Sequence, residues 1–189
     1  MTSTAGPRAR AAWDALVSRA GAGEIPSVAQ VLEVVDGLPA VAPEQMLGSW
    51  RGGGLATGHP WDGLLEACGW HGKRFTSAED VDPLVFEDAR GLFAVNPALV
   101  PLGLLVRHPG LGRSGAARTV ARRSLRAART RRPAARLRRV EHRGVVTATM
   151  VYDALPVQDH FRRVDDGTVV GVMDMRGMRD PFVFTLHRG

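Results

Sequence analysis

Residues 48–60 read GSWRGGGLATGHP and set five glycines around a single tryptophan, Trp50. Glycine is used where a backbone or a ligand approaches closely, or where φ must be positive. Tryptophan buries a large ring and carries one N–H donor that needs a partner. A tryptophan on a glycine-flanked first strand is therefore predicted to plug the closed end of a small β-barrel, which is a structural role.

The C-terminal third predicts a run of antiparallel strands. Asp166-Gly167 is the strongest hairpin signal in the chain, and Arg143-Gly144 marks a second turn. Five short strands are predicted at residues 136–142, 145–152, 157–164, 168–175 and 181–187. Strands near residues 48–56 and 84–106 bring the total to about eight or nine, and a sheet of that size tends to close on itself.

Helical patterns flank and interrupt the strands. Residues 8–20 and a segment begun by the Ser27–Gln30 capping box and running to Asp36 predict two N-terminal helices. Residues 61–72 predict a short helix, and Asp80–Pro83 a turn. The predicted fold is mainly β, α+β overall. It is a lipocalin-like antiparallel barrel with an N-terminal helical segment (1–43), a barrel domain (44–189), a basic helical insertion (107–133) and a C-terminal meander (134–188).

The composition limits the classes of protein that fit. A chain of 189 residues with 44% hydrophobic residues predicts one domain with a single core. Cys68 is the sole cysteine, so no intramolecular disulfide can form, and we expect a reducing, cytoplasmic location. The thiol itself is interpreted as buried and inert. The sequence contains neither a membrane-spanning apolar run nor an apolar signal core.

The formal charge is +6, and about half of the basic residues fall between Arg107 and Arg143, a range that includes the arginine-rich residues 107–133. That stretch lacks interleaved aromatic residues, so we expect no specific nucleic-acid partner, although a weak membrane-surface contact stays open. The histidines show no zinc-binding spacing, and residues 52–54 are not followed by a phosphate-loop lysine. We therefore expect no metal and no nucleotide.

The glycine-rich stretch resembles the family named for its GXWXG motif. The likeness continues through Gly69-Trp70-His71-Gly72-Lys73, and residues 145–188, which include Met150-Val151-Tyr152-Asp153 and Asp159-His160-Phe161-Arg162, resemble the uncharacterised domain that usually follows it. Together the two blocks cover roughly residues 44–88 and 134–188. The resemblance implies no activity, because none is established for the family. Lipocalins share G-x-W, and haem-binding nitrobindins share G-x-W-x-G-x-G, which supports a barrel by analogy.

Polar residues on the 157–164 strand predict a site. Alternation puts Asp159, Phe161 and Arg163 on one face, and Gln158, His160 and Arg162 on the other. We expect His160, Arg162 and Tyr152 to point inward, with His160 as acid or base oriented by Asp159 or Asp174. The alternative is a set of cross-strand pairs on a wet surface. Candidate ligand contacts are Trp50, Arg51, His59, Trp70, Tyr152, Asp153 and Arg162, although His59 also suits a purely structural turn.

Three functions stay open at this point. The first is a barrel that binds an apolar small molecule or lipid. The second is a cofactor-independent isomerase, hydratase or hydrolase that uses His160 with a carboxylate. The third is a haem protein similar to nitrobindin, with His187 as axial ligand. The sequence does not settle the oligomeric state, and a homodimer is one option.

Overall fold

Antiparallel strands dominate the computed structural model, which describes residues 6–100 and 123–189. The strands are β1 Gly48–Gly54, β2 Trp70–Phe75, β3 Val81–Asp88, β4 Gly91–Val95, β5 Arg129–Thr130, β6 Ala135–His142, β7 Val145–Tyr152, β8 Val157–Arg163, β9 Thr168–Met175 and β10 Phe182–Arg188. The helices are α1 Pro7–Gly21, α2 Val28–Asp36 and α3 Leu64–Ala67, with 3-10 turns at Pro43–Met46 and Pro97–Leu99. Residues 123–127 are also helical.

Eight of these strands close into a barrel. The order around the barrel is β1, β10, β9, β8, β7, β6, β3 and β2, and β2 pairs with β1 to complete the ring. Strand β4 pairs with the end of β3, and β5 pairs with β4, so these two strands extend outside the ring. Because the side chains of a strand alternate between faces, each wall strand sends every second residue inward.

Close packing inside the barrel explains two of its glycines. Carbon atoms of the Trp70 ring occupy the position that a Cβ at Gly52 would take, and the Phe184 ring does the same at Gly171. Any larger residue at either position would displace a buried aromatic ring. Gly52, the second glycine of the GXWXG motif, therefore leaves the space that the Trp70 ring occupies.

Two hydrophobic clusters lie on the two faces of the wall. The inner cluster lies inside the barrel and includes Trp50, Phe161 and Phe184. The outer cluster joins helices α1 and α2 to the outside of β8, β9 and β10. Its members include Trp13, Leu16, Val31, Val35, Val164, Val170, Val172 and Val183. The outer face of β8 is therefore buried as deeply as its inner face.

A short strap (residues 38–41) follows α2 and is built into the barrel wall. Its backbone bonds to both β7 and β8: Ala148 N donates to Val41 O at 2.7 Å, and Arg163 N donates to Pro39 O at 2.9 Å. Direct pairing of β7 with β8 covers Thr149–Val151 only. The strap thus supplies the backbone partners that the splayed ends of β7 and β8 would otherwise lack.

Most elements agree with the sequence predictions. The predicted barrel, the two N-terminal helices, the capping box at Ser27 and the C-terminal strands are confirmed. Strand β2 was not predicted, because residues 61–72 were interpreted as helical, and only Leu64–Ala67 is. Pro83 lies within β3 rather than in a turn. The insertion is helical at 123–127 and extended at Arg129–Thr130, and residues 101–122 lie outside the described part of the chain. In that part, no helix has the length and apolarity of a membrane span.

Candidate functional site

Strand β8 sends Asp159 into the barrel and His160 out of it. Phe161, which shares a face with Asp159, belongs to the inner cluster, whereas Val164 and the β9 neighbour of His160, Val172, belong to the outer one. The predicted pair of Asp159 and His160 is therefore wrong. Adjacent residues of a strand point to opposite faces, so this carboxylate cannot orient this imidazole.

The partner of Asp159 is Lys73, on β2. Its Nζ lies 2.8 Å from Asp159 Oδ2, with 3% of the lysine side chain and 0% of the aspartate side chain exposed. Lys73 Nζ also donates to the carbonyl of Pro83 at 3.1 Å. Strands β2 and β8 stand four positions apart in a ring of eight, on opposite walls. The ion pair therefore crosses the lumen.

Aromatic rings surround the lysine. The centroids of Phe184, Trp70 and Tyr152 lie 4.9, 5.7 and 5.9 Å from Lys73 Nζ. The face of an aromatic ring attracts a cation, and the attraction grows where water is excluded. The lysine thus contacts one carboxylate, one carbonyl and three aromatic rings.

The site also contains polar atoms that the protein does not use. Within the described residues, Asp159 Oδ1 and Trp70 Nε1 are buried and make no hydrogen bond. The Tyr152 side chain is 6% exposed and lies on the same inner face as Met150, and its hydroxyl makes no hydrogen bond to a described residue. Burial raises the pKa of Asp159, partly offset by Lys73. Burial and the nearby Asp159 raise the pKa of Tyr152 well above its usual value.

The inward orientation expected of His160 and Arg162 is wrong, whereas that of Tyr152 is correct. His160 stacks on His142 with ring centroids 3.9 Å apart, and its Nδ1 lies 2.9 Å from Thr149 Oγ1. Arg162 donates to the carbonyls of His142 and Leu38. Burial, His142 and Arg162 lower the pKa of His160 to about 4. Arg162 thereby joins the strap to the wall, whereas His160 contacts the neighbouring strands β6 and β7.

The remaining candidates lie away from the lumen or play structural parts. Asp174 and Arg51 are exposed. Asp153 forms an ion pair with Arg136 at the surface, as expected of a cross-strand pair in contact with water. His59 is buried and its Nδ1 accepts from Trp61 N, which fits the structural interpretation. His187 is exposed beside Thr168 and alternates with the inward Leu186, so it cannot reach a haem inside the barrel.

Trp50 occupies the end of the barrel. It is 1% exposed, its Nε1 donates to Met46 O at 2.7 Å, and the Arg188 guanidinium lies 4.5 Å from its ring centroid. The ring is thus satisfied by protein groups alone. Its burial agrees with a plug, and its contacts leave no polar atom for a ligand.

A separate cavity of about 240 Å³ lies beside the barrel. Its lining combines the hairpin of β3 and β4 with residues near α3 and the 123–127 helix: Cys68, Glu87, Asp88, Ala89, Phe93, Leu125 and Arg126. Arg126 pairs with Asp88 at 3.2 Å. None of the residues predicted as site residues lines this cavity.

One feature of the sequence distinguishes Lys73 from the other basic residues. Of the 25 basic residues, Lys73 is the sole lysine. Because arginine occupies every other basic position of the chain, the single lysine indicates a position that favours a compact ammonium group. An arginine is planar and bulkier, so it is not a conservative replacement for the compact ammonium in this site.

Comparisons with known proteins assign the two halves of the barrel. The GXWXG protein family matches residues 33–91, and the domain of unknown function DUF4334 matches residues 133–188. A crystal structure of a protein from Thermomonospora curvata is similar to the chain, with 31% sequence identity and a TM-score of 0.69. The match covers 96% of this chain and 99% of that one. No curated protein matches. The chain belongs to the GXWXG family and carries the domain of unknown function that follows the motif.

Proposed function

We propose that the protein binds a small, largely apolar molecule inside the barrel, with a polar group of that molecule against Asp159. The observation that carries this proposal is the unused hydrogen-bonding capacity around Lys73. Asp159 Oδ1 and Trp70 Nε1 are buried without a partner in the described residues. A buried polar group left unpaired costs about 1–3 kcal/mol, so folded proteins rarely keep one that has no purpose.

The surroundings suit an apolar ligand. The inner face around the ion pair is built from Met150, Met173 and the aromatic rings of Trp70, Tyr152 and Phe184. Small-molecule sites typically combine an apolar wall with a few convergent polar groups. Methionine adds adaptability, because its unbranched side chain fits irregular shapes.

Two conservative variants test the proposal. Tyr152→Phe removes a hydroxyl that bonds to no described residue, so it should preserve the melting temperature and lower the amount of bound molecule. Thr149→Val removes a buried hydroxyl that lies 2.9 Å from His160 Nδ1 on the outer face. It should do the reverse, lowering the melting temperature and leaving the bound amount unchanged.

The readout is mass spectrometry of the purified protein, first under native conditions and then after denaturation with organic extraction. The native mass should exceed that of the bare chain, and the extract should contain the difference. An unmodified native mass with an empty extract, together with unaltered behaviour of Tyr152→Phe, would count against binding.

Acid–base catalysis is the second candidate, and the environment of Asp159 favours it. A carboxylate with a raised pKa in an apolar site is suited to remove a proton from carbon beside a carbonyl group. Oδ1 would take the proton, the C–H electron pair would form a C=C bond, and the charge would pass to the carbonyl oxygen, to which the Tyr152 hydroxyl donates. Return of the same proton to another carbon gives an isomer, so neither cofactor nor oxidant is consumed.

Deuterium exchange tests this second candidate. The molecule extracted from the protein is incubated with fresh protein in D₂O, and carbon-bound deuterium is measured by mass. Exchange should occur with wild type and with Thr149→Val, and should be lost in Asp159→Asn that is shown to be folded. Equal exchange in wild type and in a protein-free control would leave binding as the function.

A further inference from the structure

We infer that the bound molecule is uncharged and carries a group that both donates and accepts hydrogen bonds, as an alcohol or a carboxamide does. This inference rests on the proposed function and specifies the chemical class of its ligand. It depends on the Lys73–Asp159 pair and on two polar aromatic side chains, Trp70 and Tyr152, whose ring centroids lie 5.7 and 5.9 Å from Lys73 Nζ.

The charge balance of the site excludes ions. The ammonium of Lys73 and the carboxylate of Asp159 lie 2.8 Å apart and neutralise each other. An anionic ligand would approach the free oxygen of a carboxylate, and a cationic one would leave the lumen with an uncompensated positive charge. Either arrangement buries a charge without a partner, which is among the most costly events in a protein interior. Arg163, on the same face, is separated from the pair by Phe161.

The types of unpaired atoms define the polar group. Asp159 Oδ1 can only accept while the carboxylate is ionised, and Trp70 Nε1 can only donate. The Tyr152 hydroxyl does both. A hydroxyl or a carboxamide satisfies an acceptor and a donor together, whereas a hydrocarbon satisfies neither. A site built to pair such a group discriminates strongly against molecules that lack it.

A matched series of probes tests the class. Naphthalene carrying a hydroxymethyl, carboxamide, carboxylate, aminomethyl or methyl group keeps the apolar part fixed and changes only the polar group. Each is titrated by calorimetry at neutral pH into protein freed of extractable molecules. The hydroxymethyl or carboxamide probe should bind at least about tenfold more tightly than the other three. Tyr152→Phe and Trp70→Phe should each reduce that advantage, and Thr149→Val should not.

The outcomes separate this inference from the function on which it rests. If the charged or methyl probes bind as tightly as the neutral polar ones, the class is wrong while binding stands. If no probe binds, the molecule extracted from the protein decides. A neutral alcohol or amide supports the class, and a fatty acid, an amine or a hydrocarbon overturns it. If no probe binds and nothing is extracted, both the proposed function and the inference fall.

Discussion

Lys73 and Asp159 stand on opposite walls of an eight-stranded barrel, and their charged atoms meet inside it at 2.8 Å. An ion pair in this position ties β2 to β8 through the lumen, in addition to the hydrogen bonds that close the sheet. Desolvation makes such a pair a poor source of net stability, although loss of one partner alone is severe. The presence of this buried pair is therefore weak evidence for a role in stability.

Lys73→Met should destabilise the protein by about 3–5 kcal/mol, because it leaves the Asp159 carboxylate buried without its partner. The double variant Lys73→Met with Asp159→Leu should be less destabilised than the single one, since both charges are then absent. Chemical denaturation measures both. The exposed pair of Arg136 and Asp153 is the control, and Arg136→Ala should cost less than about 1 kcal/mol. A double variant at least as unstable as Lys73→Met would contradict the interpretation.

Gly52→Ala should destabilise the fold by roughly 1–3 kcal/mol, because the new methyl group overlaps the Trp70 ring. Combining it with Trp70→Leu should cost less than the sum of the two single changes, since the smaller side chain vacates that space. Gly21→Ala, where nothing lies within 4 Å of the added carbon, should leave stability near wild type. Additive effects of Gly52→Ala and Trp70→Leu would mean that the ring and the glycine do not constrain each other.

Trp50→Ala should cost roughly 3–5 kcal/mol, because a large buried ring is removed from the end of the barrel. The variant also leaves the carbonyl of Met46 without its indole N–H donor and removes the ring that the Arg188 guanidinium contacts. Thermal and denaturant unfolding report the loss. Normal melting of this variant would disprove the plug.

Stability should fall as the pH drops from 6.5 towards 4, in part because of His160. Its pKa is about 4 in the folded chain against an ordinary 6.5, so the unfolded chain binds more protons between these values. Protonation there opposes folding, first because the ring is buried and then because His142 and the Arg162 guanidinium lie beside it. Asp36 is the counter-charge near His142 and Arg162. A protonated Nδ1 of His160 can only donate a hydrogen bond, so it could no longer accept one from the Thr149 hydroxyl, which lies 2.9 Å away.

The matched variant His160→Gln isolates this contribution. Its stability, measured by denaturation at several pH values, should depend less steeply on pH within the same window than that of wild type. The difference between the two proteins removes the effects of other titrating groups such as Asp159, whose raised pKa acts in the opposite direction. Parallel pH profiles would show that His160 titrates normally.

The sequence predicts the barrel well because its turns and alternation are local signals. Asp166-Gly167 and Arg143-Gly144 fix two hairpins, and the register of β8 with β9 follows from the first. Strand β2 is different. Its sequence, WHGKRF, contains a glycine and two cations and no β-branched residue, so only the aromatic residues at its two ends favour a strand. Pairing with β1 and β3 decides its conformation.

The candidate site could be predicted only in part, for a related reason. Both faces of β8 are polar by sequence and both are buried in the structure, since α1, α2 and the strap cover the outer one. Alternation identifies which residues share a face but not which face is inside. The inward side chain of Tyr152 was therefore predicted correctly, whereas Asp159, His160 and Arg162 were assigned to the wrong faces. Lys73 was missed because a lysine is ordinarily solvated.

The most direct test of ligand binding follows the indole N–H signals of the four tryptophans by NMR. Spectra of the protein as purified and after extraction are compared, with Trp70→Phe and Trp50→Phe used for assignment. Trp50 Nε1 is already bonded to Met46, whereas Trp70 Nε1 has no partner among the described residues. The Trp70 signal should shift on extraction and return when the extract is restored, while the Trp50 signal stays fixed. A Trp70 signal that is identical in all three samples would contradict a ligand at Asp159 and Trp70.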